Sequence, residues 1–166
     1  MEIFRKELTG VIIRGGTVRD WSFIHELALE AIAYSMSPYR GVSEEHVVNY
    51  RRQTMSGFWS WVQRSQSRVF IAEEKERLGY LILNDRAIDE LTGLPQAWIM
   101  DIAVKKEYWS KGVGRKLIEQ AEQYCRENGI KHLGLAVTTT NVRAASLYTK
   151  MGFHEERKLM VRNIEG

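Results

Sequence analysis

The sequence predicts an α+β fold: a mixed, mostly antiparallel central sheet flanked by helices, in the order β α α β β β α β α β. Three observations carry this. Two β-rich runs, Arg68 to Glu73 and Leu78 to Asn84, are separated only by Glu74-Lys75-Glu76-Arg77, which reads as an antiparallel hairpin. Two stretches of helical pattern precede that hairpin. Finally, Ile99 to Thr138 reads as strand, amphipathic helix and strand, a crossover that mixes parallel pairing into the sheet.

The chain in order supports each element. Val11-Ile12-Ile13-Arg14 is a short strand. Thr17 with Asp20 three residues on resembles a capping box, and Ile24, Leu27, Ala28 and Ala31 continue at helical spacing to about Ala33. Tyr34 to Gly41 is a break. Ser43 caps a second helix with Glu44 and Glu45 in its first turn, and its pattern runs loosely to Trp61. The aromatic cluster Phe58-Trp59-Ser60-Trp61 reads as core or a subunit contact, or more sharply as a pocket wall. After the hairpin, Arg86 to Gln96 is a polar loop and Ala97 to Val104 the next strand. Val113, Leu117, Ile118, Ala121, Tyr124 and Cys125 then share one helical face, which stops near Asn128-Gly129. His132 to Thr138 is a strand, Asn141 to Lys150 a short helix opened by an Asn cap and ended at Gly152, and Phe153 to Arg162 a closing strand.

Composition narrows the function classes. The 166 residues suit one domain, 1–166. No run approaches transmembrane length, and MEIFRKELTG lacks the apolar core of a signal peptide, so a cytoplasmic protein without a membrane partner is expected. A net charge of +3 does not argue for nucleic acid. Four histidines and one cysteine show no metal-ligand spacing, so no metal is expected. Cys125, on an apolar helix face, reads as an inert buried thiol.

Chemistry concentrates where the long crossover begins. Lys105, Lys106 and Lys111 lie between strand and helix, and Arg115 and Lys116 follow in the first helical turn. Cations oppose the dipole at a helix N-terminus, so five of them suggest an anion supplied from outside. Gly112 and Gly114 remove side chains where backbone N–H groups point outward, a geometry that cradles phosphates. The plainer alternative is a turn with a solvated basic face. Asp101 is a lone carboxylate in an apolar strand, either hydrogen-bonded locally or set at a cleft. By strict alternation it shares a face with Ile99 and Ala103, and a bulge would change that phase.

Two blocks resemble the GNAT superfamily of acyl-CoA-dependent N-acetyltransferases. The first is the strand, basic loop and helix containing Trp109-Ser110-Lys111-Gly112-Val113-Gly114; its glycines match, while Trp109 stands where Gln or Arg is usual. The second is Asn141-Val-Arg-Ala-Ala-Ser-Leu-Tyr148-Thr-Lys-Met-Gly152-Phe153, close to the C-terminal signature. The resemblance implies a GNAT-like fold and direct transfer of acetyl from acetyl-CoA to a primary amine of a small molecule or peptide, through a ternary complex. It implies that N–H groups of Trp109, Ser110, Lys111, Gly112, Val113 and Gly114 hold the pyrophosphate, with Lys111 and Arg115 on phosphates. Ile102, Ala103 and Val104 would line the pantetheine arm, and Asn141 would hydrogen-bond it. Tyr148 would protonate the departing thiolate, against the alternative of an aromatic packed under the last strand. For the base the alternatives are Asp101, Glu73 or a water chain; His46 reads as solvated or structural. Acetylation of protein N-termini, of the ribosomal-protein type, is an alternative; several such enzymes carry a glutamate where Ala136 stands here, a departure that counts against it. Two other readings stay open, a non-catalytic acyl-CoA sensor and, more weakly, a nucleotide-binding domain. The family and the exposed-looking aromatics are compatible with a homodimer, which the sequence does not require.

Overall fold

The structure is a computed structural model that describes residues 8, 10–65 and 67–165. Most of the N-terminal stretch read for a leader lies outside the described residues. Five strands form one sheet in the order β1-β2-β3-β4-β5: β1 Ile12–Gly15, β2 Arg68–Glu73, β3 Arg77–Ile88, β4 Pro95–Val104 and β5 Leu133–Leu135. The first four are antiparallel neighbours, and only β5 is parallel, to β4. The helices are α1 Trp21–Glu30, α2 Ile32–Ser35, α3 Glu44–Met55, α4 Phe58–Ser65, α5 Val113–Glu127 and α6 Val142–Lys150.

The sheet is covered on both faces, which is why β3 reads as an unbroken apolar run from Leu78 to Leu83. On one face α5 buries Val113, Leu117, Ile118, Ala121 and Cys125 against Leu81, Leu83 and Ile99, with Tyr148 of α6 in the same cluster. On the other, Ile24, Leu27 and Ala28 of α1 and Met55 of α3 meet Tyr80, Ile82 and Ala103. Gly79 brings β3 unusually close to β4: a Cβ there would lie 2.6 Å from the Ala103 carbonyl oxygen. At the sheet's outer end Asp20 is buried and accepts from the Thr17 N–H at 2.8 Å, from Arg14 at 2.9 Å and from Arg77 at 2.8 Å. These cations hold its carboxyl well below the usual carboxylate range.

The structure departs from the sequence expectation in five places. The first helix divides after Glu30 into α1 and α2, and the second divides at Ser56-Gly57 into α3 and α4. The polar loop is shorter than expected, because β3 runs on to Ile88 and β4 starts at Pro95. The strand expected over 132–138 pairs only through Leu133–Leu135. The closing strand expected from Phe153 to Arg162 does not form. Its middle, His154-Glu155-Glu156-Arg157-Lys158, offers no apolar alternation to bury. Arg157 instead pairs with Asp89 at 2.5 Å, and Leu159 and Met160 stay exposed.

Candidate active site

The site begins where β5 stops. Ala97, Trp98 and Ile99 of β4 pair with Leu133, Gly134 and Leu135, and beyond Ile99 the two strands part. Residues 100–104 therefore keep β3 on one side and leave their other edge to a wedge. The far wall of the wedge is the chain from Ala136 to Asn141, tied to the end of α2 by the Thr138 hydroxyl, which donates to the Ser35 carbonyl at 2.5 Å.

A bulge sets the carboxylate. Asp101 pairs with Ile82 and Ile99 with Leu83, so Met100 has no partner across the ladder. Strict alternation therefore fails here. Ile99 points to the α5 side, while Met100 and Ala103 pack with the α1–α4 side. Asp101 sits on that second face, where the buried Tyr80 hydroxyl donates to it at 3.0 Å. Arg51 of α3 approaches the same oxygen at 3.6 Å. Burial pushes the Asp101 carboxyl up, and Tyr80, Arg51 and the Ile102 N–H pull it back only in part. Neither Tyr80 nor Arg51 stood out in the sequence. Tyr80 reads as one more apolar position in β3, and Arg51 as a helix-surface cation.

Tyr148 projects from α6 into the α5-side core, 9% exposed. Its ring meets Phe153 edge-on at 5.9 Å. Gly152, at φ +90°, turns the chain so that the Phe153 N–H returns to the Tyr148 carbonyl at 3.0 Å, a helix-ending motif that fixes the ring pair. The phenol is pushed up to about 12, chiefly by burial, with Arg143 opposing and the Asp101 charge adding a little. The phenol therefore keeps its proton at neutral pH. Asn141 caps α6, its side-chain oxygen accepting from the Ala144 N–H at 3.3 Å.

The loop of Trp109, Ser110 and Lys111 leads into α5 through two glycines with different jobs. Gly112 takes φ +83° and faces open space, leaving the helix start uncovered. Gly114 faces inward: a Cβ there would lie 3.2 Å from Leu147 Cδ2, so its bareness lets α5 close on α6. Ser110 also adopts a left-handed φ of 59°. No side chain caps α5, and its first N–H groups have no side-chain partner, an arrangement suited to an anion. The basic residues divide. Lys105 pairs with Glu76, which also accepts from the Tyr108 hydroxyl at 2.6 Å. Lys116 turns to the Val11 carbonyl at 3.5 Å, Lys111 lies over the Tyr108 ring, and Arg115 is exposed beside Gly114. Lys106 lies over the Tyr34 ring, away from the helix start, and Lys111 and Arg115 flank the two glycines in the chain, where they can serve an anion.

Other candidates stand elsewhere. Glu73 is held by Arg14 at 2.7 Å on β2, two strands from Asp101. His46 is exposed in the first turn of α3, and Cys125 is buried on the inner face of α5. Phe58 and Trp59 pack on Trp21 of α1, so part of that aromatic cluster is interior packing. Among the described residues no group of histidine, cysteine, aspartate and glutamate could hold a metal, and no helix is long and apolar enough to cross a membrane.

This architecture is an N-acetyltransferase fold. A solved protein from Pyrococcus furiosus described as an acetyl transferase superposes with a TM-score of 0.75 and 26% identity, over 93% of this chain and 99% of that one. Residues 29–153 match the Acetyltransferase (GNAT) family, so the chain belongs to that family. Among curated relatives, streptothricin acetyltransferase of Streptomyces lavendulae is 44% identical over 55 residues, 33% of this chain. The ribosomal protein bS18-alanine N-acetyltransferase of Escherichia coli K12 is 36% identical over 62 residues, 37% of this chain. The aligned stretches span 29% and 42% of the lengths of those two relatives.

Proposed function

We propose that the chain moves the acetyl group of acetyl-CoA directly to a primary amine, in a ternary complex without a covalent enzyme intermediate. One observation carries the reading: β5 ends at Leu135, so residues 100–104 of β4 keep one edge unpaired, with the half-buried Asp101 on one face of that half and the Tyr148 phenol in the core on the other. The uncapped start of α5, with Lys111 and Arg115 beside it, fits the phosphates of the cofactor. Acetyl-CoA, when bound, supplies a thioester whose carbonyl carbon takes the amine.

Each residue then has a defined task. Asp101 attracts the incoming ammonium, and its pair with Arg51, at 3.6 Å, is loose enough to yield. With its raised pKa, Asp101 is also suited to accept a proton from that nitrogen. As the carbon–sulfur bond breaks, the Tyr148 hydroxyl gives its proton to the leaving thiolate. By their names the related enzymes act on streptothricin and on an alanine of ribosomal protein bS18, and the acceptor here is proposed only as an amine of a small molecule or peptide.

The test is calorimetric titration with acetyl-CoA, together with thiol release over a panel of amines. Binding with amine-dependent thiol release is expected. Binding without release from any amine would favour an acyl-CoA sensor, and no binding would sink the reading of the α5 loop.

A further inference from the structure

The side chain of Trp109 does something that the glycine loop does not require. Its indole Nε1 donates to the Val104 carbonyl at 2.8 Å. Val104 is the last residue of β4, in the half that β5 leaves unpaired, so its carbonyl would otherwise face the wedge. The indole is gripped from two other elements. Tyr34 of α2 meets it edge-on at 4.8 Å, and the Arg143 guanidinium of α6 lies over it at 3.6 Å. Arg143 has no carboxylate partner among the described residues, and it reaches across from the far wall of the wedge. Tyr34, Trp109 and Arg143 therefore form a clasp between the two walls.

Resting on the acyl-CoA reading above, we propose that Trp109 holds the place of an amide N–H of the acyl carrier's arm. An extended ligand lying along the free edge of β4 needs a strand acceptor, and the Val104 carbonyl is already satisfied by the indole. Such a ligand displaces the indole N–H, and the clasp opens. The freed Arg143 guanidinium is then available to an anionic group of the ligand. Binding of the arm thus includes the loss of one internal hydrogen bond, whereas binding of the phosphate end alone does not. Gln or Arg at this loop position would reach the anion; a tryptophan there serves the strand edge instead.

The experiment compares wild type with Trp109→Phe, which keeps a ring for Tyr34 and Arg143 but removes the N–H. Acetyl-CoA and 3′,5′-ADP, the latter a probe of the phosphate end without the arm, are titrated calorimetrically into both. Acetyl-CoA should bind the variant about fivefold more tightly, the equivalent of one neutral hydrogen bond no longer lost. The affinity for 3′,5′-ADP should be equal in the two. Wild-type tryptophan emission should shift to the red with acetyl-CoA and stay unchanged with 3′,5′-ADP. Equal or weaker acetyl-CoA binding in the variant, or no emission shift in the wild type, overturns the clasp while the acyl-CoA reading stands. Failure of acetyl-CoA to bind either protein overturns both.

Discussion

The two halves of β4 are one strand with two fates. From Ala97 to Ile99 it has neighbours on both sides, β3 and β5, and its backbone is spent on the sheet. From Met100 to Val104 it keeps β3 alone, carries a bulge, and presents Asp101 on one face and a free edge toward α6. The apolar composition barely changes between the halves. The difference lies in the partner: β5 is three residues long, and where it ends the strand changes from scaffold to site. A substitution in the paired half should therefore act on stability, and one beside the free half on chemistry.

The sharpest test of that contrast is Tyr148→Phe. Turnover should fall about 100-fold, the lower range for a lost general acid, with acetyl-CoA affinity nearly unchanged. Unaltered turnover would remove Tyr148 from the reaction. In wild type the phenol, at about 12, should cause no loss of activity near pH 10, where an ordinary tyrosine titrates.

Gly134→Ala probes the other half. A Cβ at Gly134 would lie 2.7 Å from the Trp98 ring, inside the β4–β5 pairing. Overpacking there should cost about 2 kcal/mol and lower the melting temperature by about 4–8 °C, with kcat changed far less than by Tyr148→Phe. A large fall in kcat at unchanged melting temperature would erase the distinction between the halves.

The last tests read pH profiles. Asp101 has its carboxyl raised by burial, so its basic form is lost as pH falls through that raised value. Activity should show an acid limb above the usual carboxylate range, and Asp101→Asn should lack it at a much lower rate. Tyr80→Phe removes a hydroxyl that steadies the carboxylate, so the same limb should move to higher pH while most activity at alkaline pH survives. A pH profile identical to wild type in Tyr80→Phe would detach Tyr80 from the site.

Much of this molecule is written locally. The helical face of α5, the Asn141 and Ser43 caps, the hairpin and the glycines before α5 follow from spacing and residue type, because each depends on neighbours within a few positions. Tyr148 and Asp101 could be named from the chain for the same reason. What the tertiary structure alone decided depends on partners far apart in sequence. The bulge at Met100 reversed the phase of Asp101, because a strand's register is fixed by the strand beside it. Tyr80 and Arg51 became partners of that carboxylate across 21 and 50 positions. Glu73 was withdrawn into an ion pair with Arg14, and a tryptophan five residues past Val104 returned to cap its carbonyl. The closing strand failed because charged side chains in succession leave no face to bury. Local pattern specifies what an element is; only the packed chain fixes which edges stay free and what fills them.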